Sequence, residues 1–270
     1  MSFIRIWAIF VRQLFLLYRN PTRLINIFLW ATIDVFIWGL LTRYLDTIGQ
    51  SAFSFTTVLF GAIILWELLV RAHQGSMLPF LEDVWTQNFI NFFASPLKLG
   101  EYVAGLVLSS IFTSTIGFGG IALMAGLFFG FNILLLGFWL LPFLIILFIF
   151  GIALGIFTGG LIMRLGPAAE WIAWPISAII SPLVGIFYPI SVLPSKVQYI
   201  SHALPPTYVF EGMRQLVLAG QFTPKLLYPL AIGFGLSLVY LVAAYLFFAW
   251  VHKIALRRGL IARFGTETTT

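Results

Sequence analysis

Apolar runs long enough to cross a lipid bilayer dominate the chain, and no other feature limits its fold so strongly. A crossing helix needs about 20 apolar residues. Six segments approach or exceed that length: Leu24–Leu41, Phe55–Val70, Tyr102–Phe129, Ile133–Met163, Trp171–Val192 and Leu226–Val251. The third and fourth exceed one crossing, so they must tilt, kink or project from the bilayer. Only 9% of the 270 residues are charged and 61% are hydrophobic, too little charge to cover the surface of a soluble domain. The expected fold is an all-α integral membrane domain over 1–270: an interfacial helix in 1–21, a six-span bundle in 22–252 and a basic tail in 253–270.

The chain has no cysteine, which excludes disulfides and thiolate metal sites. Its net charge of +6 does not require nucleic acid, because basic residues flanking spans on the cytoplasmic side give the same balance. With the N-terminus inside, eleven Lys and Arg fall on one face: Arg5, Arg12, Arg19, Arg23, Arg71, Lys98, Arg164, Lys253, Arg257, Arg258 and Arg263. Arg43, Lys196, Arg214 and Lys225 fall on the other. That asymmetry places both termini in the cytoplasm. Trp66, Trp171, Trp174 and Trp250 then form an aromatic belt near the inner interface.

The first twenty residues lack the pattern of a cleavable signal, since Arg12 interrupts the apolar run. Arg5, Arg12 and Arg19 are seven apart and share one helix face, while Phe3, Ile6, Trp7, Phe10, Leu14 and Leu17 occupy the others. The expectation is an amphipathic helix in the interface, basic side toward headgroups. Asn20-Pro21 ends it and turns the chain inward.

Between the second and third runs lies LEDVWTQNFINFFASPL, from Leu81 to Leu97, with Glu82, Asp83, Trp85, Gln87, Asn88 and Asn91. Read as a short helix with acids at its start and a tryptophan on one face, it suits a groove on another protein. Read as a plain connector, it rests on headgroups, against which the paired acids argue. Gly151, Gly155 and Gly159 form a small-residue ladder that suits close helix packing within one subunit better than a dimer seam. Pro175, Pro182 and Pro189 predict a fifth span that is kinked or ends early. From Ser191 to Lys225 two short helices are expected, Ser195–Leu204 and Thr207–Ala219, with Glu211 and Arg214 spaced to pair.

Catalysis finds little support. There is no GxxxxGK[ST], and His73, His202 and His252 show no metal spacing or triad. Asp34, within the first span, is either a pathway residue or a structural hydrogen bond to a neighbouring helix. Glu67 and Arg71, four apart, predict an ion pair at a helix end near the inner interface.

Three stretches resemble the membrane subunit of ABC-2 type transporters: FVRQLFLLYRNPTRLINIFLWATIDVFIWGLL, FFASPLKLGEYVAG and GIFYPISVLPSKVQYISHALPPTYVFEGMRQLVLAG. The resemblance covers nearly the whole chain. It implies a permease of a bacterial inner membrane, multi-pass, paired as a homodimer over two copies of a separate ABC ATPase. ATP and Mg would be bound by that partner, and no cofactor by this chain. Glu82, Asp83, Trp85, Gln87, Asn88 and Asn91 would form the coupling helix. The short helices would be re-entrant from the outer face, with Pro189, Pro194, Tyr208, Glu211 and Arg214 in the gate, and Asp34 in the pathway. WATIDVFIWG is more similar to the drug and lipo-oligosaccharide branch than to the polysaccharide branch, so export of hydrophobic or amphipathic molecules is expected and glycan export is the alternative. Outside the family the rivals are a membrane transferase, which needs clustered acids and histidines, and a proton-coupled carrier using Asp34.

Overall fold

A computed structural model of the chain describes residues 1–48, 53–86, 88, 91–92, 95–166, 169–219 and 224–257. The described residues are helical and contain no strand. The sequence breaks where local chemistry requires it. α1 (Phe3–Arg19) ends at Asn20, whose backbone is extended, and α2 (Pro21–Ile48) begins on a proline. Proline loses nothing at a first helical position because that N–H has no partner in any case. The Asn20 side chain accepts from the Thr22 N–H at 3.2 Å, so the elbow is capped.

α3 (Phe53–Trp85) is one helix through Glu67, Arg71, His73, Gln74 and Pro79. This corrects the boundary at Val70 and puts the start of the Leu81–Leu97 segment inside α3; Asn91 and Phe92 are helical again. Glu82 and Asp83 lie at the C-terminal end of α3. α4 (Leu99–Phe129) starts with Glu101 accepting from the Lys98 N–H at 3.0 Å. α5 (Leu140–Leu165) follows a 3-10 stretch, Ile133–Trp139. Among the described residues five helices, including α10 (Leu227–Arg257), are long and apolar enough to cross a membrane: Pro21–Leu45, Thr57–Trp85, Leu99–Phe129, Leu136–Leu165 and Pro224–Arg257.

The fifth apolar segment, Trp171–Val192, is not a sixth long helix. It breaks into α6 (Glu170–Ala173), α7 (Ile176–Ile180) and 3-10 turns at Ser181–Leu183 and Ile190–Val192. Pro175 precedes α7 and Pro182 lies in the first 3-10 turn, where ring geometry and the missing N–H prevent a continuous ladder. α8 (Ser195–Ala203) and α9 (Pro205–Ala219) follow.

The helices pack about a waist of small residues. A Cβ on Gly151 would lie 2.7 Å from Ala72 Cβ and from the Leu69 carbonyl, and one on Gly155 would lie 2.6 Å from the His73 carbonyl. α3 and α5 therefore touch backbone to backbone, as the glycine ladder predicts for packing within one subunit. A core extends from this waist to the end of the bundle opposite α1 and includes Phe143, Phe150, Ile64 and Leu65. α9 inserts Val209, Phe210 and Met213 into it, each at most 1% exposed. Trp66 packs near Phe210, with ring centroids 6.2 Å apart, so it leaves the proposed belt. Trp171, Trp174 and Trp250 keep exposed faces, and Trp250 carries the Arg164 guanidinium 4.9 Å over its ring.

Candidate functional site

The chemistry at the α1 end begins with an electrostatic mismatch. Glu82 and Asp83 stand at the C-terminal end of α3, where the helix dipole disfavours negative charge. Arginines from distant segments offset it. Arg12 binds Asp83 through both guanidinium nitrogens, at 2.6 and 3.2 Å. The Tyr102 hydroxyl donates to the same carboxylate at 2.8 Å. Arg23 pairs with Glu82. Arg5 pairs with Glu101 at 3.3 Å, and the Ser2 N–H donates to Glu101 at 2.7 Å. The result is a clamp joining α1, α2, α3 and α4.

This arrangement inverts the expected pose of α1. Arg5 and Arg12 point into the protein, on the side of α1 that buries Ile9 and Gln13. Phe3, Ile4, Trp7, Phe15 and Tyr18 are exposed. The acids on α3 and α4 are stronger partners for the basic face than solvated headgroups, because paired charges form shorter and more directional bonds. The apolar face is left for the surroundings. Glu101, Tyr102 and Gln13 were not singled out by sequence. Only Glu101 carried a signal, as an acid in the first turn of a helix.

The residues expected to contact a partner separate into two sets. Asp83 is 1% exposed and saturated by intramolecular bonds, and Glu82 is half-buried against Arg23. Trp85 and Asn91 are exposed, and Asn88 is half-exposed. The Trp85 indole interacts with the Glu170 carboxylate. Asn88 donates to Thr86 Oγ1 at 3.0 Å, and its N–H bonds the Asp83 carbonyl at 3.0 Å, which continues the turn directly off α3. Gln87 lies outside the described residues.

Deeper in the bundle, Arg71 and Glu67 pair at 3.1 Å with both side chains buried. They lie fourteen and eighteen residues before the end of α3, inside the helix and not at its end. Asp34 on α2 meets Glu67 as a hydrogen-bonding neighbour. A carboxyl at that depth thus has a partner on an adjacent helix.

At the opposite end Glu211 and Arg214 pair at 2.7 Å, as their spacing predicts. Glu211 also accepts from the Ile190 N–H at 3.0 Å, and Arg214 donates to the Gly185 carbonyl at 2.7 Å. Gly185 has φ +80, a conformation costly to any residue with a Cβ. Pro189 and Pro194 are extended and precede the Ile190–Val192 turn and α8. The Tyr208 hydroxyl donates to the His202 carbonyl at 2.8 Å, and Thr207 donates to the Ser201 carbonyl at 2.6 Å. The α8–α9 corner is therefore closed by its own hydrogen bonds. Among the described residues no group of three or more acids and histidines is spaced to hold a metal.

The family model described as ABC-2 type transporter matches residues 4–218, four fifths of the chain, including the clamp, the exposed turn and the α8–α9 corner. No curated protein matches the sequence.

Proposed function

The chain belongs to the ABC-2 type transporter family, whose membrane subunits normally pair with an ATPase, and from that premise we propose that it is the permease of an ATP-driven exporter for hydrophobic or amphipathic molecules. Two copies form the pathway, each a single transmembrane domain, in a bacterial inner membrane with both termini in the cytoplasm. The α1 end faces the cytoplasm. The proline-broken stretch 169–192 supplies the sixth crossing, because broken helices are tolerated where protein covers their free backbone groups. α8 and α9 are re-entrant from the outer face, where Pro189, Pro194, Tyr208, Glu211 and Arg214 shape the gate.

One observation carries the coupling role. Exposed Trp85 ends a helix of about 50 Å, Asn88 is bonded to that helix end through the Asp83 carbonyl, and the Asp83 side chain fastens it to α1. A partner ATPase pulling on that end moves α3 and α1 as one body. Trp85, Asn88 and Asn91 make the contact, while Glu82 and Asp83 act as struts behind it. Replacing Trp85 and Asn91 by alanine is expected to leave a folded permease that no longer retains or stimulates its ATPase, measured by co-purification and ATP hydrolysis in lipid. Unchanged retention and turnover would remove the assignment.

The proton-carrier alternative centres on Asp34. Its contact with Glu67 favours a fastening between α2 and α3, so Asp34→Asn should preserve transport at normal expression. Loss of transport in that variant would instead place Asp34 in the pathway. Polysaccharide or lipid-linked glycan export remains the alternative within the family, separated by which cargo stimulates hydrolysis.

A further inference from the structure

A cavity of about 380 Å³ opens at the α1 end, between α1, α2, α3 and α4. It runs along α3 from Arg71 to Trp85, fourteen residues or roughly 21 Å. Its walls are largely apolar, with Leu17, Trp30, Leu78 and Trp174 among them. Yet two buried polar side chains on its lining have atoms with no partner: Gln13 Nε2 and Ser114 Oγ, on side chains 2% and 1% exposed. Arg23 donates to Gln13 Oε1 across a long 3.5 Å. The other end of that amide, Nε2, is buried beside the cavity with no partner. Buried polar groups are almost always paired, and their partners are missing only where a ligand or water supplies them.

The volume equals that of about a dozen waters and falls in the range of about 300–1,000 Å³ typical of small-molecule sites. Two unmet polar groups on an otherwise apolar lining favour a molecule with one oxygen-rich end. The charges at the border lean the same way: Arg23 and Arg71 against Glu82, with each arginine already paired. The site therefore tolerates an anion without leaving a bare cation when empty.

We propose that this cavity binds the head of a membrane amphiphile, a phosphate ester on an acyl body. The Gln13 amide and the Ser114 hydroxyl donate to its oxygens, and the body passes between Trp30 and Trp174. A bilayer phospholipid and an exported amphiphile share this chemistry, so the site does not depend on the export reading.

The test uses the full chain purified in mild detergent, with bound lipid measured by native mass spectrometry. Delipidated protein is then titrated with dioleoyl phosphatidylglycerol and, separately, with dioleoylglycerol, which has the same body but no phosphate. The wild type is expected to retain one amphiphile per chain and to prefer phosphatidylglycerol. Gln13→Leu with Ser114→Ala should weaken that binding roughly tenfold, as loss of two modest hydrogen bonds implies. Leu17→Trp fills the cavity while leaving both donors, and it should abolish binding. Its thermal midpoint, and that of the double variant, tells lost binding from lost folding. Chemical identification of the lipid retained from cells separates a resident phospholipid from a cargo. A wild type with no bound amphiphile, or equal binding in wild type, double variant and Leu17→Trp, would overturn the proposal.

Discussion

The two ends of the bundle are held by different means. At the α1 end the pairs join segments far apart in sequence: Arg12 with Asp83 across 71 residues, Arg23 with Glu82 across 59, Arg5 with Glu101 across 96. At the opposite end they are short-range: Glu211 with Arg214 across 3 residues, Tyr208 with His202 across 6, Glu211 with Ile190 across 21. There the long-range fastening is apolar, with Phe210 and Met213 driven into the core. Charge thus assembles one end, whereas burial assembles the other and hydrogen bonds only shape its corner. The ionic end should yield to charge removal and salt, and the apolar end should not.

The harshest way to break this contrast is to attack the waist that both ends share. Gly155→Leu puts carbon where the His73 carbonyl lies 2.6 Å from a first added atom, and a backbone neighbour cannot yield. Overpacking of this kind costs about 3 kcal/mol or more, so size-exclusion profiles and thermal unfolding should show loss of the folded protein. Next comes Asp83→Ala, which strands Arg12 and the Tyr102 hydroxyl. Breaking a buried pair costs about 3–5 kcal/mol; with Arg12 28% exposed to screening, on the order of 2–3 kcal/mol is expected. Hydrogen exchange should speed in 3–19 while 185–214 keeps its protection. Exchange rising equally at both ends would refute the division.

Arg214→Met is the mirror experiment. It frees the Gly185 carbonyl and one side of Glu211, at a cost of about 1–2 kcal/mol. Faster exchange should be confined to 185–214, with α1 unmoved. The mildest variant is Arg12→Lys, which keeps the charge but loses the two-nitrogen grip on Asp83. It should cost about 1 kcal/mol or less, and α1 protection should fall further in high salt, which screens a point charge on a half-exposed side chain.

How much of this could be read from residues follows the same line. The elbow at Asn20-Pro21, the broken stretch after Trp171, the glycine contact and the Glu211–Arg214 pair are local, and their chemistry is written within a few positions. The pose of α1 was not, because a seven-residue arginine spacing does not say what faces it. Three acids clustered near the ends of two later helices were the available clue. α3 was cut short at Val70 because Arg71, His73 and Gln74 resemble a loop in hydropathy. Those residues face neighbouring helices or the cavity instead of lipid, so the helix continues through them. Of the residues expected to couple, Glu82 and Asp83 are occupied within the chain by arginines whose distant positions no local spacing reveals. Nothing in the sequence marked Gln13 or Ser114, whose significance lies in an empty space beside them.

Pro79 lies inside α3, six residues before Trp85. With no N–H to offer, it cannot make the helical bond to the Gly75 carbonyl, which weakens that turn of the rod. Gly75 and Pro79 both border the cavity. Under the proposed coupling α3 and α1 move together when the Trp85 turn is pulled, and any give within α3 falls at Pro79, beside the cavity wall. A molecule bound as proposed would then sit against the proline turn and act as a wedge that stiffens it.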